Sequence, residues 1–337
     1  MITLSPYETA QARSSSYDVF SRLFDAGVTA EMLPYMTGIA ELHATLPERY
    51  DADAAAATHQ RLFGFNVFAY ESMFLSADTL MGGPVTGDVA QYCQQVGYNA
   101  ALGEAADHIA NELALLAFLC GAEADAWHEG QAGEAARMQA VQRDFLDRHL
   151  LRWLPGLSIA IQQQGEPFYS ALAGLATDLA LDHRAALADD LLNPGASFAL
   201  LAAPDLLSNQ RAGLREVAEF LLTTVHSGIY LSRDDIGRLG RPHNLPTGFG
   251  SRRIMLTNLL RSAAQFDAVS ALLADLRTLV AHWRAGYAGL LESPATCVRT
   301  IGAVWTDRLT QTANLLDQLG EAATAWQQDD GLGDQNA

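Results

Sequence analysis

At 337 residues, 49% of them apolar, the chain can bury the core of one large domain or two modest ones, which excludes a disordered polymer. Its 21 basic residues are all arginine, which excludes a lysine Schiff base, a Walker-A lysine and a kinase-type catalytic lysine. The net charge of -18 repels nucleic acid and anionic membrane; it suits either cationic partners or simple solubility.

No basic patch followed by an apolar run opens the chain, whose first basic residue is Arg13. That predicts no cleaved signal peptide and a cytoplasmic location. Tyr17 to Phe24 fall in a first helix. Leu62-Phe63-Gly64-Phe65-Asn66-Val67-Phe68-Ala69-Tyr70-Glu71-Ser72 packs aromatics around one carboxylate and is too interrupted for a clean helix. Such a stretch serves either core packing or the binding of an apolar peptide that carries a cation.

In Glu104-Ala-Ala-Asp107-His108-Ile-Ala-Asn-Glu112-Leu113, Asp107 and His108 sit near a helix N-terminus, where a carboxylate is favoured. His108 and Glu112 share a face and can pair, as a surface ion pair on a capped helix or as part of a site. Ile109, Leu113, Leu116 and Leu119 continue the helix, with a stop offered by Gly121. The strongest apolar run, Leu113 to Cys120, is too short to cross a bilayer, so stable membrane insertion is not expected. Met138, Val141, Phe145 and His149 mark another helix, interrupted at Pro155, and Pro167 opens the next.

Asn193-Pro194-Gly195 is the clearest break. Before it, residues 1–193 carry 25 acids and 9 arginines; after it, 194–337 carry 14 acids and 12 arginines. Two regions are therefore expected, 1–193 and a C-terminal helical extension, 194–337. A short apolar connector runs to Pro204, and helical patterning resumes near Asn209. Ser232 with Asp235 signals the cap of a short helix, Pro242 to Gly250 is a loop, and helices are predicted over 251–265, 268–291 and 297–325. From Gln327 the polar tail predicts a frayed end. The fold class is all-α.

The search for catalytic chemistry is negative: no HExxH, GxSxG, Walker-A or GxGxxG pattern occurs. Cys93, Cys120 and Cys297 form no CxxC pair, and nine histidines are scattered, so neither a metal nor a cofactor is expected. The loop Gly248-Phe249-Gly250-Ser251-Arg252-Arg253 is either an ordinary loop with a helix cap or a phosphate cradle.

Four motifs occur in order: Leu62-Phe63-Gly64 with Tyr70-Glu71-Ser72-x-Phe74-Leu75, Asp107-His108-Ile109-x-x-Glu112-Leu113, Phe145…His149-Leu-Leu-x-Trp153-x-Pro155, and Phe168-Tyr169-x-x-Leu172-Ala173. Together they resemble the TorD/DmsD/NarJ family of redox-enzyme maturation chaperones, over roughly residues 10–192. The resemblance implies a TorD-like helical bundle, here followed by a second helical region. It also implies a protein that is not an enzyme and that holds the apo catalytic subunit of an exported molybdoenzyme, through its twin-arginine leader, until the cofactor is inserted. Carried over residue by residue, it assigns leader recognition to Leu62, Phe63, Tyr70, Glu71, Ser72, Asp107 and His108. Glu71, Asp107 and Glu112 are the carboxylates expected to meet the twin arginines. Ala69 and Ala105 stand where the family usually has proline, which leaves the local backbone less constrained. The rival expectations are a weak nucleotide-binding hydrolase using the 248–253 loop, and a non-catalytic scaffold of a redox complex.

Overall fold

The expected all-α class is borne out by the computed structural model. The structure describes residues 4–78, 81–98, 106–187, 198–208 and 212–333, with side chains to 322, and among these no β-strand forms. The Asn193-Pro194-Gly195 break and the start of helical patterning at Asn209 lie outside the described residues. The chain divides into two compact units: Met1–Phe198 with Glu292–Ile301, and Ala199–Leu291 with Gly302–Ala337.

The first unit starts with α1 (Pro6–Ala26), opened by a reciprocal cap: Glu8 N–H donates to Ser5 Oγ (3.2 Å) and Ser5 N–H to Glu8 Oε2 (2.8 Å). It ends at Gly27, where φ is +74° and an added Cβ would stand 2.9 Å from the Tyr169 hydroxyl. Short helices α2 (Leu33–Thr37), α3 (Ala40–His43) and α4 (Ala52–His59) lead into a π-helical turn, Gln60–Asn66. Then follow α5 (Glu71–Leu75), α6 (Pro84–Gln95), α7 (Ile109–His128) and α8 (Ala132–Phe145). A second π turn, Leu146–Leu150, joins α8 to α9 (Leu151–Gln162), and α10 (Pro167–Ala186) starts at the predicted proline.

Two stop signals fail for physical reasons. Helix α7 runs through Gly121 because that glycine lies in its crossing with α1, where an added Cβ would stand 3.4 Å from Ser14 Oγ. Ser14 donates to the Ala117 carbonyl (2.8 Å) and Ser21 to that of Ala110 (2.7 Å). Seven residues forward on α1 match seven back on α7, so the two helices pair antiparallel through small residues. Pro155 lies inside α9 rather than interrupting it, one turn after the π turn that respaces the backbone ladder. The core around it is apolar and closed: Leu113, Leu116, Phe145, Leu150, Trp153 and Leu157 are all buried. Each such large side chain contributes roughly 1.5–3 kcal/mol by leaving water.

The second unit holds α11 (Leu214–Leu222), α12 (Thr224–Ser227), α13 (Arg233–Gly240), α14 (Arg252–Gln265), α15 (Val269–Ala288) and most of α16 (Thr296–Gly333). The Ser232–Asp235 cap is present, with Asp235 N–H donating to Ser232 Oγ (3.0 Å) and Ser232 N–H to Asp235 Oδ2 (2.8 Å). Tyr287 and Trp305 stack 5.7 Å apart in its core. Helix α16 continues past Gln327, so the predicted frayed end is helical as far as Gly333. No helix among the described residues is long and apolar enough to cross a membrane.

Candidate functional site

The Leu62–Ser72 and Asp107–Glu112 motifs meet in the first unit. The π turn releases the chain at an extended Val67, Tyr70 N–H donates back to the Phe68 carbonyl (3.0 Å), and Tyr70 forms an isolated antiparallel bridge with His108. Ile109 N–H donates to the Ala69 carbonyl and Glu71 N–H to that of Asp107, both at 2.9 Å. The Asp107 carboxylate then accepts from Ser72 N–H (2.9 Å) and from the Thr86 hydroxyl (2.7 Å). Asp107 thus satisfies a free amide in the first turn of α5, 35 residues before it in the chain, while His108 is the N-cap of α7.

Glu71 and Glu112 lie beneath this junction. His149 Nδ1 is 3.2 Å from Glu71 Oε2, and Trp153 Nε1–H donates to Glu112 Oε2 (3.1 Å). Glu112 Oε1 is buried with no hydrogen-bond partner. Burial, followed by the negative charge of Glu71, raises the Glu112 carboxyl well above the usual carboxylate range. Glu71, Ser72, Asp107 and Glu112 are all buried. The expected His108–Glu112 pair does not form: Glu112 turns inward to Trp153, and His108 stacks on Tyr70 with ring centroids 4.8 Å apart.

Of the other predicted site residues, Leu62 is buried, whereas Phe63, Tyr70 and His108 are half-buried and reach the surface. Phe63 sits in an aromatic cluster with Phe24 (5.9 Å), His59 (5.1 Å) and Tyr169 (5.2 Å, edge-on). Burial lowers the His108 imidazole, against the pull of Asp25 and Asp107, and the charge of His59 lowers it further. Burial also raises the Tyr70 phenol, with Asp107 and Asp25 adding to the effect. The motif residues therefore divide by burial: the carboxyl groups of Glu71, Asp107 and Glu112 are buried, and the rings of Phe63, Tyr70 and His108 are half-buried.

Residues 29–158 match the family model described as the nitrate reductase delta subunit, a span that contains all eight predicted site residues. The matched span also contains the motifs from Leu62 to Pro155 and covers less than half of the chain. Tyr17–Phe24 in α1 and Phe168–Ala173 in α10 fall outside it. The chain is also similar to a selenate reductase assembly chaperone protein of Thauera selenatis, with 51% identity over 49 residues, 14% of this chain and 24% of that protein. A second relative, a chlorate reductase assembly chaperone protein of Ideonella dechloratans, is 36% identical over 83 residues, 25% of this chain and 42% of that protein. In each case the match spans less than half of the relative's length.

Asp25 escaped the motif reading of this family. It is exposed, and its charge acts on both Tyr70 and His108. One local signal marks it: a carboxylate in the last turn of α1 opposes the helix dipole. In the second unit, the 248–253 loop is a capped helix start. Ser251 accepts from Ile254 N–H (3.4 Å), while Arg252 folds back over the Tyr230 ring (4.8 Å) and donates to the Leu231 carbonyl (3.0 Å). An arginine so engaged does not reach for a phosphate.

Proposed function

We propose that this chain is the assembly chaperone of an exported molybdenum-dependent reductase, binding the twin-arginine leader and the apo form of its catalytic subunit. The observation that carries the reading is the half-buried set of rings Phe63, Tyr70 and His108, in the same motifs as the buried carboxyl groups and flanked by exposed Asp25. The likeness to assembly chaperones of a selenate reductase and a chlorate reductase supports the same class of work.

In this reading the leader's apolar residues dock against Phe63 and Tyr70, and an arginine stacks on the Tyr70 ring while its guanidinium meets Asp25. Glu71, Asp107 and Glu112 keep the two motif segments in register, and Leu62 and Ser72 complete that support. An aromatic contact is worth about 1–2 kcal/mol once desolvated, whereas an exposed ion pair adds about 0.2–1 kcal/mol. The rings therefore carry most of the affinity, and the acid mainly selects for a cation. The chemistry is binding rather than bond making, and it takes place in the cytoplasm, with residues 1–193 as the leader-binding region.

A chaperone and a scaffold differ in which form of the client they hold. Pull-down with purified catalytic subunit is expected to favour the apo form over the cofactor-loaded form at least tenfold. Equal retention of the mature enzyme would support a scaffold instead.

A further inference from the structure

Elsewhere, arginines gather where the net charge of -18 makes them least expected. Between α11 and α14 lies an open cleft of about 300 Å³ lined by Arg215, Arg253, Ile254, Thr257, Asn258 and Arg261. All three arginines are exposed. Glu219 Oε1 is shared by Arg215 Nε (3.1 Å) and Arg253 Nη1 (3.4 Å), which shows that a carboxylate fits between them. Neighbouring Glu216 is engaged in capping, accepting from Gly213 N–H at 2.8 Å. Arg261 donates to Asn258 Oδ1 (3.3 Å). Arg215 and Arg253 thus share the Glu219 carboxylate, while Arg261 is held by the neutral Asn258.

The rim is apolar. Leu214 and Ile254 are exposed, and Phe249 is 98% exposed. Gly248 (φ +70°) and Gly250 (φ +137°) flank Phe249 in the turn that precedes α14. A Cβ added at the first would stand 3.0 Å from Asn258 Nδ2, and one at the second 3.3 Å from Ile254 Cδ1. Both contacted residues line the cleft, so Phe249 stands at its edge.

We infer that this cleft is a docking site for a short acidic segment of a partner protein, with carboxylates on Arg215, Arg253 and Arg261 and an apolar residue against Phe249 and Ile254. The occupant follows from charge and rim together. A long polyanion such as nucleic acid meets the repulsion of the whole chain, whereas a segment with two or three carboxylates meets chiefly the cleft, where three arginines outnumber Glu216 and Glu219. A free phosphate has no use for an exposed aromatic rim, and a peptide side chain does. Bidentate guanidinium–carboxylate pairing gives the cleft its selectivity.

The test is fluorescence anisotropy of the full chain with a labelled ten-residue peptide of alternating Glu and Leu, beside its Gln-for-Glu counterpart. The Glu peptide is expected to bind at least tenfold tighter than the Gln peptide, to weaken as salt rises, and to lose at least tenfold on Arg215→Gln with Arg253→Gln. Phe249→Ser is expected to weaken it about threefold. Circular dichroism checks that each variant is folded. Should the double variant not fold, Arg261→Gln replaces it, and the Glu-against-Gln comparison on the unaltered chain stands regardless. Equal binding of both peptides, or a folded double variant that binds like the parent, overturns the inference. So does arginine-dependent binding of inorganic phosphate without peptide binding, which would make the cleft an anion site. Arginine-dependent self-association without peptide binding would likewise overturn it, by making the occupant a second copy of this chain.

Discussion

The acidic and the basic cluster of this molecule are built in opposite ways. Glu71, Asp107 and Glu112 are buried in the first unit, each holding a hydrogen bond that fixes one segment against another. Arg215, Arg253 and Arg261 stand exposed along one cleft of the second unit, the first two sharing the Glu219 carboxylate and the third bonded to Asn258. The carboxyl groups of the first cluster are closed off from solvent, and the guanidinium groups of the second stay open to it. A motif rich in acids therefore does not have to be the surface that a cation touches. Net charge says what the whole chain repels, while burial says which charges remain available.

The contrast is easiest to break at Asp107. Asp107→Ala leaves Ser72 N–H and the Thr86 hydroxyl without their acceptor in a closed site, and we expect a loss of about 2–4 kcal/mol in urea unfolding. A change near zero would mean that Asp107 is not structural. Leader affinity measured with this variant has to be normalised to the folded fraction, since unfolding mimics loss of binding.

Glu112 gives a smaller effect with a distinctive sign. Its folded value lies above the unfolded one, so the folded chain keeps a proton that the unfolded chain releases. Stability from this group is greatest below about pH 4.3 and falls as pH rises toward the folded value. Glu112→Gln keeps an acceptor for Trp153 and cannot ionise. Its stability relative to the parent chain should therefore increase as pH is raised above about 4.3 in urea titrations. A difference independent of pH would show that Glu112 is ionised in the fold.

The smallest effect is expected in the second unit. Arg215→Gln with Arg253→Gln removes exposed ion pairs only, and should move the melting temperature by less than about 2 °C. A large drop would place these arginines with the structural charges and erase the contrast.

The local part of this architecture was legible in the sequence. The Ser232–Asp235 cap, the Pro167 helix start and the helix from Ser251 depend on neighbours in sequence, and each is where local chemistry puts it. Gly121 and Pro155 misled because tertiary packing and a π turn outweighed their local preferences. The site was half legible. The motifs do come together, but Asp107 caps α5 across 35 residues and Glu71 meets His149 across 78, and no spacing rule reaches that far. Burial of the three carboxyl groups followed from those distant contacts. Asp25 could have been found by asking why an acid ends α1.

The central claim is that half-buried rings and one exposed acid in the first unit receive a cationic, apolar leader. Calorimetric titration of the full chain with a twin-arginine leader peptide at low salt tests it most directly. The account predicts saturable binding that weakens with salt, falls about tenfold with Tyr70→Ala, and falls severalfold with Asp25→Asn, both variants remaining folded. Binding that neither substitution changes, or no binding at low salt, would contradict it.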